Sequence, residues 1–261
     1  GPVEMYSQSL SIEGKQQPYF RTPQFSEIML NIEQNFLKSI YAPNNALFAL
    51  LSSSGTGAME SAVLNVLDEK DKVLIINGGS FGNRFKEICD FHNIPNSEYF
   101  IEYGKSLDNS EFEMFSNKGF TAVLVNICET STAQKYDMDF IGDFCKKNNM
   151  ILIADAVSAY LADPIYMDKQ NIDVLITASQ KALALSPGIA LVAISNRAYE
   201  TRVKNQRKTY YFNFNDYITN QKRGQTPYTP PVGTVLALNN RLNSIIANSV
   251  ENEWRIHKKR A

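Results

Sequence analysis

Lys181 stands in the stretch TASQKALALSPG, where a short polar run meets a long apolar one. A lysine amine that folding removes from water loses its proton more readily, and it can then form a Schiff base with an aldehyde. We expect the apolar residues after Lys181 to bury it in this way. The alternative is a surface lysine whose stem lies along apolar side chains while its charge stays in water.

Asp155 ends the apolar run ILIAD, which precedes the lysine stretch by one predicted strand. A carboxylate in that position is costly to bury unless a cation or hydrogen bonds compensate it. Asp155 is therefore either the acid of a binding site or an ordinary loop or helix-capping acid.

The sequence SSSGTGAMESAV contains Ser54, Gly55 and Thr56 at the start of a predicted helix. Glycines let a ligand approach the backbone, hydroxyl groups add donors, and a helix N-terminus favours an anion. The pattern predicts a phosphate cup, although a glycine-rich helix start can also be a simple tight turn. It is neither a Walker loop nor a dinucleotide fingerprint.

The elements that must position these residues alternate along the chain. Apolar runs of strand length recur with helical segments between them, and most are continuous, which is typical of strands buried on both faces. We predict an α/β fold with a seven-stranded, mostly parallel sheet and helices on both faces. The predicted strands are 46–53, 72–77, 98–103, 121–128, 151–156, 173–179 and 189–195. The predicted helices are 24–40, 58–68, 80–92, 108–117, 137–148, 232–247 and 249–260, and the pattern breaks over 199–231.

In such a sheet, ligands bind at the carboxyl ends of the strands. Ser54, Asp155 and Lys181 all follow or end predicted strands, so we expect them at one edge. A phosphate cup, a buried acid and a buried lysine are the three anchors that pyridoxal phosphate requires. The sequence therefore predicts this cofactor.

Composition narrows the class of partner. The 26 Lys and Arg residues nearly balance the 27 Asp and Glu residues, so no overall basic charge favours nucleic acid or an anionic membrane. The three cysteines, Cys89, Cys128 and Cys145, are widely spaced and favour neither disulfides nor a metal site. No run approaches the ~20 apolar residues of a membrane span. We expect a soluble cytoplasmic protein with a small-molecule substrate and no metal.

The run DAVSAYLADPIYMDKQNIDVLITASQKALALSPGIALVAIS resembles the lysine region of the class V, fold-type I aminotransferases. SGTGAMESAV, NGGSFGNRF, ETST and GQTPYTPPVG are similar to further motifs of that family. The resemblance is strongest to the branch of alanine:glyoxylate and serine:pyruvate aminotransferases, with 2-aminoethylphosphonate aminotransferase nearby. It implies a fold-type I large domain that uses pyridoxal phosphate to move an amino group from alanine, serine or 2-aminoethylphosphonate to pyruvate or glyoxylate.

The resemblance also implies site residues. Lys181 would hold the cofactor and move a proton, Asp155 would pair with the ring nitrogen, and Phe81 and Val157 would pack on the two ring faces. Gly1 and Pro2 would line the substrate side, in a native GPV stretch and not an expression scar. The remaining cofactor contacts would be Ser54, Gly55, Thr56, Gln180 and Thr130.

A loop from a neighbouring subunit touches the phosphate in this family. Thr229 is the candidate for that contact, with Thr226 and Tyr228 as alternatives, so the resemblance implies a homodimer. Arg84, Arg197 and Arg223 are expected to be solvated surface charges. His92 and His257 are expected on helices away from the strand ends.

The predicted domain division is an N-terminal active-site segment over 1–20, a cofactor-binding domain over 21–247, and the start of a small C-terminal domain over 248–261. The family continues further, and its C-terminal domain usually supplies the arginine that binds the substrate carboxylate. We therefore expect most of that domain to be missing here, which leaves a chain that dimerises without turnover as one alternative.

A second alternative is a lyase or a cysteine desulfurase of the same class. Those desulfurases tend to have a histidine before the lysine and a catalytic cysteine on a late loop. Here Gln180 precedes the lysine, and no cysteine follows Cys145. The sequence favours the aminotransferase.

Overall fold

The computed structural model describes residues 1–260. Short apolar, β-branched runs form strands, and the amphipathic segments between them form helices, as the periodicity predicts. The strands are β1 Leu47–Ser52, β2 Val73–Asn77, β3 Asn96–Phe100, β4 Ala122–Asn126, β5 Cys128–Glu129, β6 Gln134–Lys135, β7 Ile151–Asp155, β8 Val174–Ala178 and β9 Ile189–Ile194.

Seven of these strands form one sheet in the order β1-β9-β8-β7-β4-β2-β3, and β5 and β6 form a separate small hairpin. The strands β8, β7, β4, β2 and β3 run parallel, whereas β9 is antiparallel to both β1 and β8. The strands β2, β4, β7, β8 and β9 are buried at every position. The prediction of a seven-stranded, mostly parallel sheet is confirmed.

The edge strand β3 begins and ends earlier than predicted. It spans Asn96–Phe100 and not 98–103, because it pairs in parallel with β2 from Val73 opposite Asn96 to Asn77 opposite Phe100. Residues 102 and 103 lie beyond the end of β2 and are exposed. The aromatic residues of the segment gave no signal for this register, which the neighbouring strand determines.

The helices cover both faces of the sheet, as predicted. They are α1 Ser7–Glu13, α2 Pro23–Ser39, α3 Gly55–Val66, α4 Ser80–Phe91, α5 Asn109–Glu113, α6 Met138–Lys147, α7 Asn196–Ala198, α8 Phe214–Gln221, α9 Val232–Asn248 and α10 Val250–Arg260. Phe36 of α2 and Leu238 of α9 belong to the core on one face. Met59 of α3 and Phe85 of α4 belong to the core on the other.

The prediction missed three helices outright, namely α1, α8 and the three-residue turn α7. The helix α1 is seven residues long and mostly polar. The helix α8 lies within 199–231, where we expected no regular structure, and Asn213 caps it by accepting a hydrogen bond from the Asn215 N–H at 3.1 Å. Its buried residues Phe214, Tyr217 and Ile218 have helical spacing. Neighbouring polar residues hid this short pattern. A π-helical turn, Tyr199–Val203, lies in the same interval and directly follows α7.

The helix α10 packs back onto α9 through an ion pair. Arg241 and Glu253 are both buried, with 2.7 Å between Nη2 and Oε2, and the Arg241 guanidinium lies over the ring of Tyr6. Ser249, with φ of 65°, separates the two helices. This break coincides with the predicted start of a C-terminal domain, while the division into 1–20, 21–247 and 248–261 stays a prediction. None of the helices in residues 1–260 has the length and apolarity needed to cross a bilayer.

Candidate active site

The carboxyl ends of the parallel strands meet at one edge of the sheet, where a cavity of about 160 Å³ opens. We call it the inner cavity. The structure brings together residues from five separate segments that the sequence placed after strands, while the role of each residue stays a prediction. The predicted site residues that line the inner cavity are Gly1, Ser54, Gly55, Thr56, Phe81, Thr130, Asp155, Val157, Gln180 and Lys181.

The turn from β1 into α3 forms the cup at one end. Ser54 caps α3 by accepting a hydrogen bond from the Gly57 N–H at 3.2 Å. A Cβ at Gly55 would stand 3.0 Å from Val157 Cγ2, so glycine allows the backbone to lie close to the turn after β7. The first N–H groups of a helix have no intrahelical acceptor, and the helix dipole favours an anion in front of them. The cup therefore suits a phosphate.

Asp155 is the last residue of β7 and is buried. Its Oδ1 accepts a hydrogen bond from the Val157 N–H at 2.8 Å. Burial raises the pKa of this carboxyl from 3.8 to about 6, against the opposing effect of its hydrogen bonds. A cationic group placed against Asp155 would relieve that cost and keep the carboxylate ionised.

Asp155 has a second partner that was not predicted from the sequence. Asn126, the last residue of β4, donates a hydrogen bond from Nδ2 to Asp155 Oδ2 at 2.6 Å. Asn126 is buried, and its Oδ1 has no hydrogen-bond partner among the described residues. The available signal was a polar residue at the end of the apolar run TAVLVN, but its partner depends on which strands are neighbours.

Lys181 lies in the tight turn between β8 and β9, where its backbone carbonyl accepts a hydrogen bond from the Ala184 N–H at 2.8 Å. The expectation of a buried lysine is wrong, because its side chain is half-buried. Leu183 and Leu185, which we expected to desolvate the amine, belong instead to the core. The turn thus presents the amine at the cavity wall, and its leucines anchor the turn.

Phe81 is held in place by a buried carboxylate that the sequence did not reveal as functional. Glu129 Oε2 accepts hydrogen bonds from the Phe81 and Gly82 N–H groups at 3.0 and 2.9 Å. Glu129 Oε1 accepts from the Ser131 N–H at 3.1 Å and from its hydroxyl at 2.6 Å. A buried carboxylate at the start of α4 compensates the helix dipole, and its bonds hold the backbone that carries the Phe81 ring at the cavity.

Arg84 also lines the inner cavity, so the expectation of a solvated surface charge is wrong. Its Nη1 donates a hydrogen bond to Thr56 Oγ1 at 3.1 Å, and its Cζ lies 4.8 Å from the centroid of the Phe81 ring. The reason is helical spacing: a residue three positions after Phe81 lies on the same face of α4. Met59 and Ser158, which the sequence did not single out, complete the lining.

A second, larger cavity of about 760 Å³ shares Lys181, Thr130 and Ser158 with the inner one. We call it the outer cavity. Residues 3–7 form part of its wall, and Cys128, His257 and Arg260 line it as well. The expectation that His257 lies away from the strand ends is wrong, because α10 folds back across this edge of the sheet.

The N-terminal segment lies against the lysine turn, since the Val3 N–H donates to the Gln180 carbonyl at 3.2 Å. Gly1 reaches the inner cavity. Pro2, its predicted companion on the substrate side, is exposed and lines neither cavity. The backbone contact of Val3 fixes the segment and turns Pro2 towards solvent.

The loop TPYTPP does not reach the cavities of its own chain. Thr229 is exposed. Tyr228 stacks on Tyr211, with ring centroids 4.8 Å apart, and donates to the Tyr210 carbonyl at 3.0 Å. Thr226 is buried, and its hydroxyl donates to the Tyr228 carbonyl at 2.6 Å. Thr226 is thus held inside its own chain, and its contact with a neighbouring subunit stays a prediction, like those of Thr229 and Tyr228.

The other predicted surface residues divide into two kinds. Arg223 is exposed and bonds only to nearby Asn220 among the described residues. Arg197 is exposed as expected, but it also forms an ion pair with the buried carboxylate of Asp173. His92 follows α4 and contacts Glu60 at 2.8 Å, far from the cavities, as expected.

The sequence is similar to those of known aminotransferases. The family profile described as "Aminotransferase class-V" matches residues 3–260. An uncharacterized aminotransferase of Methanocaldococcus jannaschii is 32% identical over 247 residues, which cover 92% of this chain and 63% of that protein. An L-aspartate–glyoxylate aminotransferase of Paracoccus denitrificans is 31% identical over 243 residues, which cover 91% of this chain and 61% of that protein.

A solved structure shows the same architecture. The chain superimposes on a subgroup IV aspartate aminotransferase from Thermus thermophilus with a TM-score of 0.90 and 26% identity, covering 98% of this chain and 71% of that one. The chain thus spans less than two thirds of the length of the two curated relatives described above.

Proposed function

The chain belongs to the class V aminotransferases, and we propose that it binds pyridoxal phosphate and transfers an amino group to a 2-oxo acid, with Lys181 as the Schiff-base lysine. The donor is a small amino compound, namely alanine, serine or 2-aminoethylphosphonate, and the acceptor is pyruvate or glyoxylate. The observation that carries the proposal is that the cup, Asp155 and Lys181 line one cavity. Glyoxylate as acceptor agrees with the name of the Paracoccus relative.

The residues present fit this cofactor. The cup at Ser54 offers N–H and hydroxyl donors to a phosphate, and Gly55 leaves room where a Cβ would press on Val157. Gln180 Oε1 is buried without a partner among the described residues, which is typical of a site that a polar ligand completes. The amide of Gln180 would bind the phosphate of the ligand. Thr130 would lie near the ring oxygen.

When bound, pyridoxal phosphate acts as an electron sink for the carbon that carries the amino group. Asp155 would hold a proton on the ring nitrogen. Burial disfavours its carboxylate without a cationic partner, and the protonated ring would supply one. Phe81 and Val157 would fix the ring plane from its two faces. The Lys181 amine, half-buried between the inner and outer cavities, would move a proton to and from the substrate carbon as general base and acid.

The test is a half-reaction on the holo-protein. Single amino acids are added one at a time, and conversion of the cofactor to pyridoxamine phosphate is followed by absorbance and chromatography. We expect conversion with at least one of the three named donors, and none with Lys181→Ala. Release of pyruvate, alanine or elemental sulfur without pyridoxamine phosphate would replace the proposal with a lyase or a desulfurase.

Cys128 gives that alternative little support. It lines the outer cavity, but burial and the nearby carboxylate of Asp163 raise the pKa of its thiol. Sulfur transfer requires a reactive thiolate, and this environment disfavours one.

We also propose that the enzyme is a homodimer in which Thr229 of one subunit, or alternatively Thr226 or Tyr228, reaches the phosphate of the other. Tyr228 of this loop stacks on Tyr211, whose hydroxyl donates at 3.5 Å to the carbonyl of Ser52, two residues before the cup. Tyr210, whose carbonyl accepts from Tyr228, is 83% exposed. A two-fold axis near this surface would bring each loop to the other subunit's cup.

Subunit mixing tests this arrangement. Lys181→Ala subunits and Thr229→Asp subunits are expected to be inactive alone, the second because a carboxylate would repel the phosphate. Mixed dimers would regain activity at one site of the two. Failure to regain activity in proven mixed dimers would contradict the shared site.

A further inference from the structure

We propose that Arg84 is a phosphate-binding residue and that it makes the site select a phosphorylated cofactor over the free aldehyde. The inference rests on the proposed function, because it concerns the same cavity. It adds a cation to a cup that otherwise consists of backbone N–H groups, hydroxyl groups and an amide.

The position of Arg84 carries the first step. It lies one turn along α4 from Phe81, and its Nη1 donates to the hydroxyl of Thr56, itself a residue of the cup, at 3.1 Å. The guanidinium lies over the Phe81 ring, 4.8 Å from its centroid. Two contacts therefore fix the cation between the cup and the aromatic wall.

The charges that line the inner cavity also favour Arg84 as the partner of the phosphate. Of the described residues, Arg84 and Lys181 are the basic side chains that line it, and Asp155 is the acidic one. A phosphate monoester carries about −1.5 to −2 charges at neutral pH. Lys181 is required at the aldehyde, so Arg84 is the side chain that can neutralise the phosphate.

Arg84 also has N–H donors that no described residue accepts. Arg197, Arg202 and Arg241 each form an ion pair with a buried carboxylate. Within residues 1–260, Arg84 forms no ion pair, and its one hydrogen bond is the bond to Thr56. A guanidinium has five N–H donors in a planar fork that matches phosphate oxygens. The remaining donors of Arg84 are therefore available to a ligand.

The charge of Arg84 lowers the pKa of the Asp155 carboxyl, but no ion pair joins the two among the described residues. The two carboxylate oxygens of Asp155 accept instead from the Val157 N–H and from Asn126. The ligand's phosphate is the anion that this arginine suits.

The experiment compares pyridoxal 5′-phosphate with pyridoxal, which lacks the phosphate. Both aldehydes react with the same lysine, so the ratio of their dissociation constants isolates the phosphate contacts. For Arg84→Met we expect ~10- to 100-fold weaker binding of pyridoxal phosphate, the effect of removing a hydrogen bond to a charged group, and unchanged binding of pyridoxal. The affinity of Arg84→Lys for pyridoxal phosphate should lie between those of the wild type and Arg84→Met, because lysine keeps the charge but lacks the planar fork of donors.

Lys86→Met is the matched control. It removes a basic residue from the same helix, but one paired with Asp90 on the surface at 2.7 Å. The ratio for this variant should equal that of the wild type. As a readout without any aldehyde, inorganic phosphate should raise the melting temperature of the cofactor-free wild type and of Lys86→Met more than that of Arg84→Met.

Two results would overturn the inference while leaving the proposed function intact. One is an equal loss of affinity for both aldehydes in Arg84→Met, which would mean that Arg84 only supports Phe81. The other is an unchanged ratio in both Arg84 variants. A wild type that binds neither aldehyde would instead contradict the proposed function, and the inference with it.

Discussion

Asn126 and Asp155 lie opposite each other on the neighbouring strands β4 and β7, and Asn126 donates a 2.6 Å hydrogen bond to the carboxylate. Together with the Val157 N–H, it orients Asp155 towards the inner cavity. The acid is thereby fixed before any ligand binds. Two hydrogen bonds do not repay its burial, because the pKa remains raised to about 6.

This raised pKa predicts that Asp155→Asn stabilises the cofactor-free protein at neutral pH. The folded state binds a proton up to about pH 6, whereas the unfolded chain releases it near 3.8. Below about pH 4 the carboxyl is protonated in both states and does not lower the free energy of unfolding. As the pH rises to 6, the unfolded state loses this proton first, and the free energy of unfolding falls progressively. The full cost is about 3 kcal/mol. The amide of Asn126, whose Oδ1 is unpaired among the described residues, can turn to accept from the new asparagine.

Urea unfolding of wild type and variant between pH 4 and pH 8 checks this prediction, since other groups cancel in the difference. The variant should gain stability relative to wild type as the pH rises, and it should bind pyridoxal phosphate more weakly. A difference in free energy of unfolding that stays constant with pH would show that Asp155 is not a strained carboxylate.

Glu129 should be a positioning residue for Phe81. Glutamine in its place offers one oxygen and one NH₂ group to donors that now occupy both carboxylate oxygens, so at least one buried donor loses its acceptor. We expect Glu129→Gln to lower the free energy of unfolding by about 2 kcal/mol. It should also weaken cofactor binding, because the start of α4 carries both Phe81 and Arg84.

Glu111→Gln is the control for this variant, since Glu111 is exposed and bonds to Tyr99 at 3.0 Å. Urea unfolding measures the stability of both proteins, and cofactor titration measures binding. If Glu129→Gln binds cofactor as tightly as the control does, the carboxylate serves the fold and not the site.

The Arg241–Glu253 pair should be the main polar link that keeps α10 on α9. Glu253→Gln leaves a buried guanidinium without its counter-charge, which typically costs about 3–5 kcal/mol. The double variant Arg241→Met with Glu253→Leu should recover most of that loss, since it removes both charges. Urea unfolding of the three proteins provides the measurement, and a double variant as unstable as the single one would contradict the explanation.

The sequence predicted the residues that follow strands, because the sheet brings all such positions to one edge. Ser54, Asp155 and Lys181 were found in this way. Asn126 and Glu129 were missed, since their partners depend on strand order and on how α4 meets β5. Arg84 could have been found from its helical spacing to Phe81.

Tertiary packing accounts for the rest of what the sequence did not predict. His257 reaches the outer cavity because α10 folds back on α9, which no local pattern indicates. Lys181 is half-buried because the leucines of its turn pack downward into the core. The apolar residues beside the lysine did not indicate whether the fold would bury them or the lysine.

The most direct test of the central claim is chemical trapping at Lys181. The protein is incubated with pyridoxal phosphate, treated with sodium borohydride to make the linkage permanent, digested, and analysed by mass spectrometry. We predict one phosphopyridoxyl group on the peptide that contains Lys181, and none in Lys181→Ala. Labelling spread over surface lysines, or equal labelling of the Lys181→Ala protein, would contradict the account.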